Sequence, residues 1–341
     1  MKKLRVLMLM HEGCVPPDSI EGVSDEDMAA WKTEYDVKVS LHTLGHEVIP
    51  LPVGDELNVI RAAIQRHKPH VAFNLMEDFY GITVFDQHVV AYLELLRQPY
   101  TGCNPRGMML TRDKGLCKKV LSYHRIRVPQ FAVFARGRAV KRPGRLQFPL
   151  FVKSTVADSS AGIAQASIVH DDEKLRKRVE FIHEQLGTNA IAEEYIEGRE
   201  LYVGVLGNRR LQTFPVWEML FEKLADDVPH IATAKVKFDM RYQNRCGIRT
   251  QAAEDLPPGV EQRMYDLSRR AYRALVMSGY ARMDFRLRED GRIYLLEANP
   301  NPHLAYGEDF AESAHVTGMK YTELIQRILS LGIRYRTEVL Y

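Results

Sequence analysis

Ala281-Arg-Met-Asp284-Phe-Arg-Leu-Arg-Glu-Asp290-Gly291-Arg-Ile-Tyr-Leu-Leu-Glu297-Ala-Asn299-Pro-Asn301-Pro302 sets two apolar runs on either side of Asp290-Gly291. Asp-Gly suits a two-residue hairpin turn, because both central positions tolerate positive φ. Counting outward from that turn places Asp284 opposite Glu297 and Arg282 opposite Asn299. Alternation along each strand then gathers these four polar side chains on one face. Like charges directly opposite each other destabilise a sheet. A hard divalent cation turns that fault into a site, since it takes carboxylate and amide oxygens. The alternative is a hairpin whose polar face is simply solvated. Against it stands the apolar character of the neighbours: Met283, Phe285 and Leu287, with Tyr294 and Leu296 expected opposite, and Ile293 and Leu295 on the other face. Carboxylates in so apolar a hairpin are rarely buried without partners.

Working outward, the chain of 341 residues is long enough for two or three domains with separate cores. Hydrophobic content of 45%, charged content of 27% and a net charge of +3 are ordinary for a soluble protein. So small a net charge argues against nucleic acid or a membrane surface as partner. Cys14, Cys103, Cys117 and Cys246 show no paired spacing, which argues against a zinc site or a disulfide framework and fits a reducing cytoplasm. The opening run Leu4–Met10 is broken by Arg5 and lacks a cleavage site, so it reads as a core strand rather than a signal peptide. No window has the apolar length of a membrane span. A cytoplasmic location is expected.

The first hundred residues alternate strand and helix patterns: strands at Leu4–Met10, Glu47–Val53 and Val71–Leu75, helices at Asp27–Leu44, Leu57–His67 and Thr83–Leu96. Such alternation predicts a parallel sheet covered by helices. No Gly-x-Gly-x-x-Gly follows the first strand, which leaves a dinucleotide-binding domain without support. Gly13–Asp25 reads as a loop near the strand ends, where ligands sit in such sheets. Beyond Asn104 the pattern changes to α+β. Helices are expected at Arg112–His124, Asp171–Gln185, Val260–Val276 and Tyr321–Leu331. Strands are expected at Phe131–Phe134, Pro149–Ser154, Gln165–Val169, Ala190–Ile196, Glu200–Leu206 and Leu211–Val216.

Three further segments offer chemistry. Lys153 ends an apolar strand and precedes the hydroxyl-rich Thr155–Gly162, a combination that either cradles phosphate or forms a surface turn with a snorkelling lysine. Ala190–Gly198 runs from an apolar strand into an acidic turn. It is either a solvated hairpin or a nucleotide hinge, with Glu193 accepting from an adenine amino group, the Ile196 backbone at the ring edge and Glu200 on ribose hydroxyls. Lys114 opens a helix, and Lys235 sits in a basic segment with Lys237, Arg241, Arg245 and Arg249. That segment is a solvated loop or a phosphate-covering one.

In order along the chain, Tyr100-Thr-Gly, Arg112-Asp-Lys114, Val152-Lys153, Ser159-Ser160-x-Gly162, Glu193 with Glu200, Lys235, Arg282-x-Asp284 and Leu296-Glu297-Ala-Asn299 resemble the ATP-grasp superfamily, and within it the D-alanine–D-alanine ligase branch. The likeness covers residues 90–331 closely and residues 1–89 in general architecture. It implies an ATP-grasp fold, with an N-terminal α/β substrate-side domain over residues 1–104. A small lobe (105–197) and a large lobe carrying the metal site (198–341) would enclose the nucleotide. By the same resemblance Lys114 and Lys153 contact ATP phosphates, and Ser159, Ser160 and Gly162 form the loop over them. Glu193, Tyr195, Ile196, Glu200, Lys235 and Leu296 belong to the nucleotide set. Asp284, Glu297 and Asn299 bind two Mg2+ ions (Mn2+ being an alternative), with Glu297 bridging. Arg282 faces the reacting acyl group, and Lys235 and Ser160 join it as catalytic residues.

The implied activity is ATP-dependent carboxylate–amine ligation through an acyl phosphate, on amino-acid or peptide substrates, in a homodimer. D-alanine–D-alanine ligase proper, a small-molecule kinase on the same fold, and a non-catalytic ATP-binding protein are the alternatives. Three stretches depart from the family pattern: His11-Glu12-Gly-Cys-Val-Pro-Pro after the first strand, Asn74-Leu-Met-Glu77-Asp78-Phe-Tyr-Gly81, and Asn299-Pro-Asn301-Pro-His303. All three fall where the amino-acid substrates of those ligases lie.

Overall fold

The computed structural model describes residues 3–157, 162–224, 231, 233, 236 and 239–337. Three parallel strands, β1 (Arg5–His11), β2 (Glu47–Val53) and β3 (Val71–Asn74), form the first sheet in the order β2-β1-β3. Parallel neighbours require crossovers, which the helices Lys32–Thr43 and Asn58–His67 supply. Val6 through Met10 are wholly buried, as expected of a strand covered on both faces. The C-terminal helix Tyr321–Arg334 returns to this sheet, where Leu324, Ile325, Ile328 and Leu329 share a core with Val6, Met8, Val71 and Phe73. The expected helix over Asp27–Leu44 is in fact two pieces, a single turn at Asp25–Met28 and the helix from Lys32.

The second sheet is antiparallel, with β4 (Phe131–Phe134), β5 (Leu150–Ser154), β6 (Ile168–Val169) and β7 (Ala190–Glu194) in the order β4-β7-β5-β6. Helix Asp172–Gln185 lies across it, burying Leu175, Val179 and Ile182 against Leu150, Val152, Ala190 and Ala192. Asp171 caps this helix by accepting from the Lys174 N–H. The strand expected at Gln165–Val169 is shorter, because Gln165–Ser167 forms a 3-10 turn.

The third sheet has six strands: β8 (Arg199–Leu206), β9 (Gln212–Thr213), β10 (Trp217–Phe221), β11 (Ile248–Ala252), β12 (Tyr280–Leu287) and β13 (Ile293–Pro300). Its order is β11-β10-β8-β12-β13, with β9 on β8. The expected strand Leu211–Val216 shrinks to β9, and β10 and β11 are additional to the sequence reading. Helix Pro105–Arg112 is also additional, although Asn104 capping it and Pro105 in its first turn are a legible start signal. Together the parallel sheet and the two α+β lobes make the ATP-grasp arrangement.

The decisive hairpin carries one correction. Its loop has three residues, not two: Arg288 N–H donates to the Arg292 carbonyl, and Gly291 sits at φ 76°. This is a turn closed by a left-handed glycine, the usual three-residue loop. Pairing then runs Leu287 to Ile293, Arg286 to Tyr294 and Phe285 to Leu295, one residue away from the expected register. A bulge at Leu296 takes up the offset, so beyond it Asp284 faces Glu297 and Arg282 faces Asn299 as expected. The apolar face therefore combines Met283, Phe285 and Leu287 with Ile293, Leu295 and Ala298, all buried, and Tyr294 is not on it.

Candidate active site

The sheet pairing sets the polar face. Glu200 and Tyr202 of β8 pair with Arg286 and Asp284 of β12, and Asp284 in turn pairs with Glu297 of β13. Arg282 grips Asp284 with two hydrogen bonds, Nε to Oδ1 at 2.8 Å and an NH2 to Oδ2 at 3.0 Å. Its guanidinium also lies 4.7 Å from the Tyr202 ring centroid and 3.6 Å from Asp309. Burial works against the Arg282 charge, yet Asp284 outweighs it and the arginine is held more firmly protonated than usual. Asn299 Nδ2 donates to Asp284 Oδ2 at 2.9 Å. Two carboxylates and an amide thus meet at one end of the hairpin. That donor set fits Mg2+ or Mn2+ chemistry, the amide offering its oxygen end when turned.

Across the cleft the second sheet contributes cations. Lys153, at the end of β5, donates to Glu297 Oε1 at 2.9 Å and stands 3.7 Å from Glu193 Oε1. Burial disfavours its ammonium, but Glu193 and Glu297 more than compensate, and its pKa lies above that of an ordinary lysine. Lys114 opens the helix Lys114–Tyr123, whose start Asp113 caps by accepting from the Leu116 N–H. Its ammonium lies 3.6 Å from Glu297 and donates to the Ala157 carbonyl at 2.9 Å. One turn on, Lys118 donates to the Leu296 carbonyl at 2.7 Å and lies 3.4 Å from Glu193. Burial is the largest influence on both Lys114 and Lys118 and lowers each pKa. Lys118 was missed in the sequence, although its i+4 spacing from Lys114 put it on the same helix face. Glu193 is 3% exposed, and its Oε1 accepts no hydrogen bond from the described residues. Such an orphaned acceptor next to two ammonium groups suits a ligand with its own donors.

The hinge residues lie beside this cluster. The Tyr195 N–H donates to the Pro149 carbonyl, and Ile196 is buried. Gly198 is obligatory, because a Cβ there would lie 2.1 Å from the Leu287 carbonyl oxygen. Glu200 already holds Arg286 at 2.6 Å and the Tyr202 hydroxyl at 2.8 Å. Leu296 lines a cleft with Lys114, Cys117 and Glu297. The carbonyl of Gly162, at φ 70°, accepts from Arg178. Ser159, Ser160 and Lys235 lie outside the described residues. The structure therefore brings together Lys114, Lys153, Glu193, Arg282, Asp284, Glu297 and Asn299. The Tyr195–Gly198 turn follows β7 at one side, and Glu200 stands apart, already engaged.

The family model described as D-ala D-ala ligase C-terminus matches residues 120–330. The chain is 36% identical over 241 residues to a D-alanine–D-alanine ligase of Bordetella petrii, covering 70% of this chain and 69% of the relative. It is 31% identical over 310 residues to the uncharacterized protein y4sG of Sinorhizobium fredii, covering 87% and 86%. The chain belongs to the D-alanine–D-alanine ligase family. The fold agrees: a crystal structure of the Bacillus anthracis D-alanine–D-alanine ligase complexed with ATP superimposes with a TM-score of 0.75 at 23% identity, covering 97% of this chain and 98% of that one. The protein is thus an ATP-grasp ligase.

Within this ligase two of the three departing stretches, Asn74–Gly81 and Asn299–His303, meet on the far side of the hairpin end. Asn301 continues β13 at φ 50°, and its Oδ1 accepts from the Cys103 N–H at 2.8 Å. Gly102 faces it so closely that a Cβ would lie 2.5 Å from Asn301 Oδ1. Asn301 and His303 line a second cleft with Glu34, Asn74, Glu77 and Tyr280. Burial, assisted by the Glu77 charge and opposed by the residue's own N–H, pushes the Glu34 carboxyl up to about 7. Burial and the charges of Glu34, Glu77 and Asp78 push the Cys14 thiol up to about 11. Among the described residues no helix is long and apolar enough to cross a membrane.

Proposed function

We propose that this chain is an ATP-dependent carboxylate–amine ligase that forms an amide or peptide bond through an acyl phosphate. The observation that carries this is Lys153, fixed between Glu193 and Glu297, with Asp284 directly opposite Glu297. Lys114 and Lys153 would neutralise the ATP phosphates, with Gly162 and the neighbouring Ser159 and Ser160 over them and Lys235 alongside. Glu193, Tyr195, Ile196 and Leu296 would receive the base, with Glu200 on the ribose side. Asp284, Glu297 and Asn299 would hold two Mg2+ ions, which when bound would neutralise phosphate charge.

A carboxylate oxygen of the first substrate attacks the γ-phosphorus, and the bond to the ADP oxygen breaks. The amine of the second substrate then attacks the acyl carbon, the C–O bond to phosphate breaks, and the amine's proton leaves with the phosphate. Arg282 is placed to donate to the oxyanion that forms on that carbon, while Asp284 and Tyr202 hold its guanidinium in plane. Residues 1–104 would present the substrate side, with residues 105–197 and 198–341 closing over the nucleotide. The substrates are small amino acids or peptides, in a cytoplasmic homodimer.

ADP release in the presence of Mg2+ and a panel of amino acids, with the product identified by mass, tests the proposal. Hydroxylamine should trap a hydroxamate, and its absence alongside transfer of phosphate to a hydroxyl would make the protein a kinase. The name of the Bordetella relative favours one specific version, D-alanine as both substrates. Rapid D-alanine-dependent ADP release would establish it.

A further inference from the structure

The cleft beyond the hairpin end lies between the first sheet and the Asn301–Leu304 segment. Tyr280 and Asn301, on its wall, are each two residues along their strands from Arg282 and Asn299, or roughly 7 Å. The guanidinium assigned above to the reacting carboxyl group is therefore one strand repeat from the cleft wall.

Its charge is unbalanced. Glu34 is 7% exposed, and its carboxylate makes no ion pair and accepts no hydrogen bond from another residue among those described. Lys32, on the same helix, is turned away to the Tyr306 carbonyl. Asn74, also on the wall, is 2% exposed. At the rim a second carboxylate, Glu77, is 60% exposed and, among the described residues, pairs with His303 at 3.5 Å. An unpaired buried carboxylate is costly to keep, and one beside a second carboxylate is costlier. The two carboxylates stand at different depths, Glu34 inside and Glu77 at the rim, which suits an organic molecule carrying two cationic groups. A single ammonium would satisfy the inner carboxylate and leave the outer one facing a histidine.

We infer that this cleft receives a basic amino acid, its α-ammonium on Glu34, its side-chain cation on Glu77 and its carboxylate toward Arg282. The inference rests on the ligase reading for the last of these contacts and not for the first two. His303 closes the rim beside Glu77, at 3.5 Å, and the substrate's side-chain cation would take its place against that carboxylate.

Calorimetric titration of the full chain with both enantiomers of ornithine and lysine, against norvaline and norleucine, tests this. At least one basic amino acid should bind about fivefold or more tightly than its uncharged analogue. Glu77→Gln, a change at an exposed position, should bring the two to within about twofold while leaving the uncharged analogue's affinity unchanged. Glu34→Gln should weaken basic and neutral amino acids together by about tenfold or more. Equal binding of charged and uncharged analogues, binding of neither, or discrimination that survives Glu77→Gln would overturn the inference. ADP release measured on the same samples separates the two proposals. Selective binding of ornithine or lysine without ADP release would sink the ligase mechanism and keep the basic-substrate cleft. ADP release driven only by neutral amino acids would do the reverse.

Discussion

The two clefts flanking the end of the β12–β13 hairpin treat buried charge in opposite ways. On the nucleotide side Lys114, Lys118 and Lys153 surround Glu193 and Glu297, so each carboxylate lies within 4 Å of an ammonium. On the far side Glu34 is as buried as those lysines but has no cation to meet it. Burying an ion pair roughly breaks even, whereas burying one partner alone is strongly unfavourable. In the first cleft the buried charges therefore offset one another. In the second, burial raises the Glu34 pKa instead.

The largest effect expected is on the paired side. Glu297→Gln removes the carboxylate that Lys153 holds and that faces Asp284, and ADP release should fall by about a thousandfold or more. The change also takes a counter-ion from the buried Lys114 and Lys153, so the melting temperature should fall as well, and turnover undiminished in the protein that remains folded would remove the metal-bridging role. Next, Arg282→Lys keeps the charge but loses the bidentate grip on Asp284. Steady-state turnover should drop about a hundredfold, with KM for ATP nearly unchanged. A change confined to KM would place Arg282 in binding rather than in the chemical step.

The unpaired side should reveal itself through pH. Glu34 titrates at about 7 in the folded protein against 4.5 as the model carboxyl, so the native state holds a proton that the unfolded chain gives up. Stability must then fall as pH rises from about 4.5 to about 7 and level off above, by at most about 3 kcal/mol. Denaturant melts at pH 5 and 8 should show this loss, and Glu34→Gln should flatten it. A wild-type curve that rises across that window would mean other groups dominate.

Smaller still is the join between the clefts. Asn301→Ala loses the bond to the Cys103 N–H and puts a Cβ-bearing residue without a local hydrogen bond at φ 50°, for about 1–2 kcal/mol. Asn301→Gly should cost less, because only the bond is lost. If both variants destabilise equally, backbone conformation contributes nothing there. At the low end, removing Glu173 from the exposed i,i+4 pair with Lys177 should leave the denaturation midpoint where it is.

The same contrast explains what the sequence could show. The nucleotide side was legible because its residues lie in regular strands, where period-two alternation predicts which side chains share a face. Asp284 and Glu297 were matched correctly even though the loop between them was miscounted. The Leu296 bulge cancelled the error, and no local pattern announces a bulge of that kind. Strands β10 and β11 escaped notice because each is only five residues long, and Glu218 and Arg249 interrupt their apolar character. Glu34 was illegible for another reason. In Lys32-Thr-Glu-Tyr-Asp it looks like any acidic first turn, and its burial beside Asn74, Tyr280 and Asn301–Leu304 comes from segments distant in the chain.

The most direct test of the central claim is calorimetric titration of ATP into the wild-type chain and Glu297→Gln, each with and without Mg2+. If the convergence of Lys153, Glu297 and Asp284 forms the metal–nucleotide site, Mg2+ should strengthen ATP binding to the wild type by about tenfold or more and have little effect on the variant. Equal Mg2+ enhancement in both proteins would contradict the account.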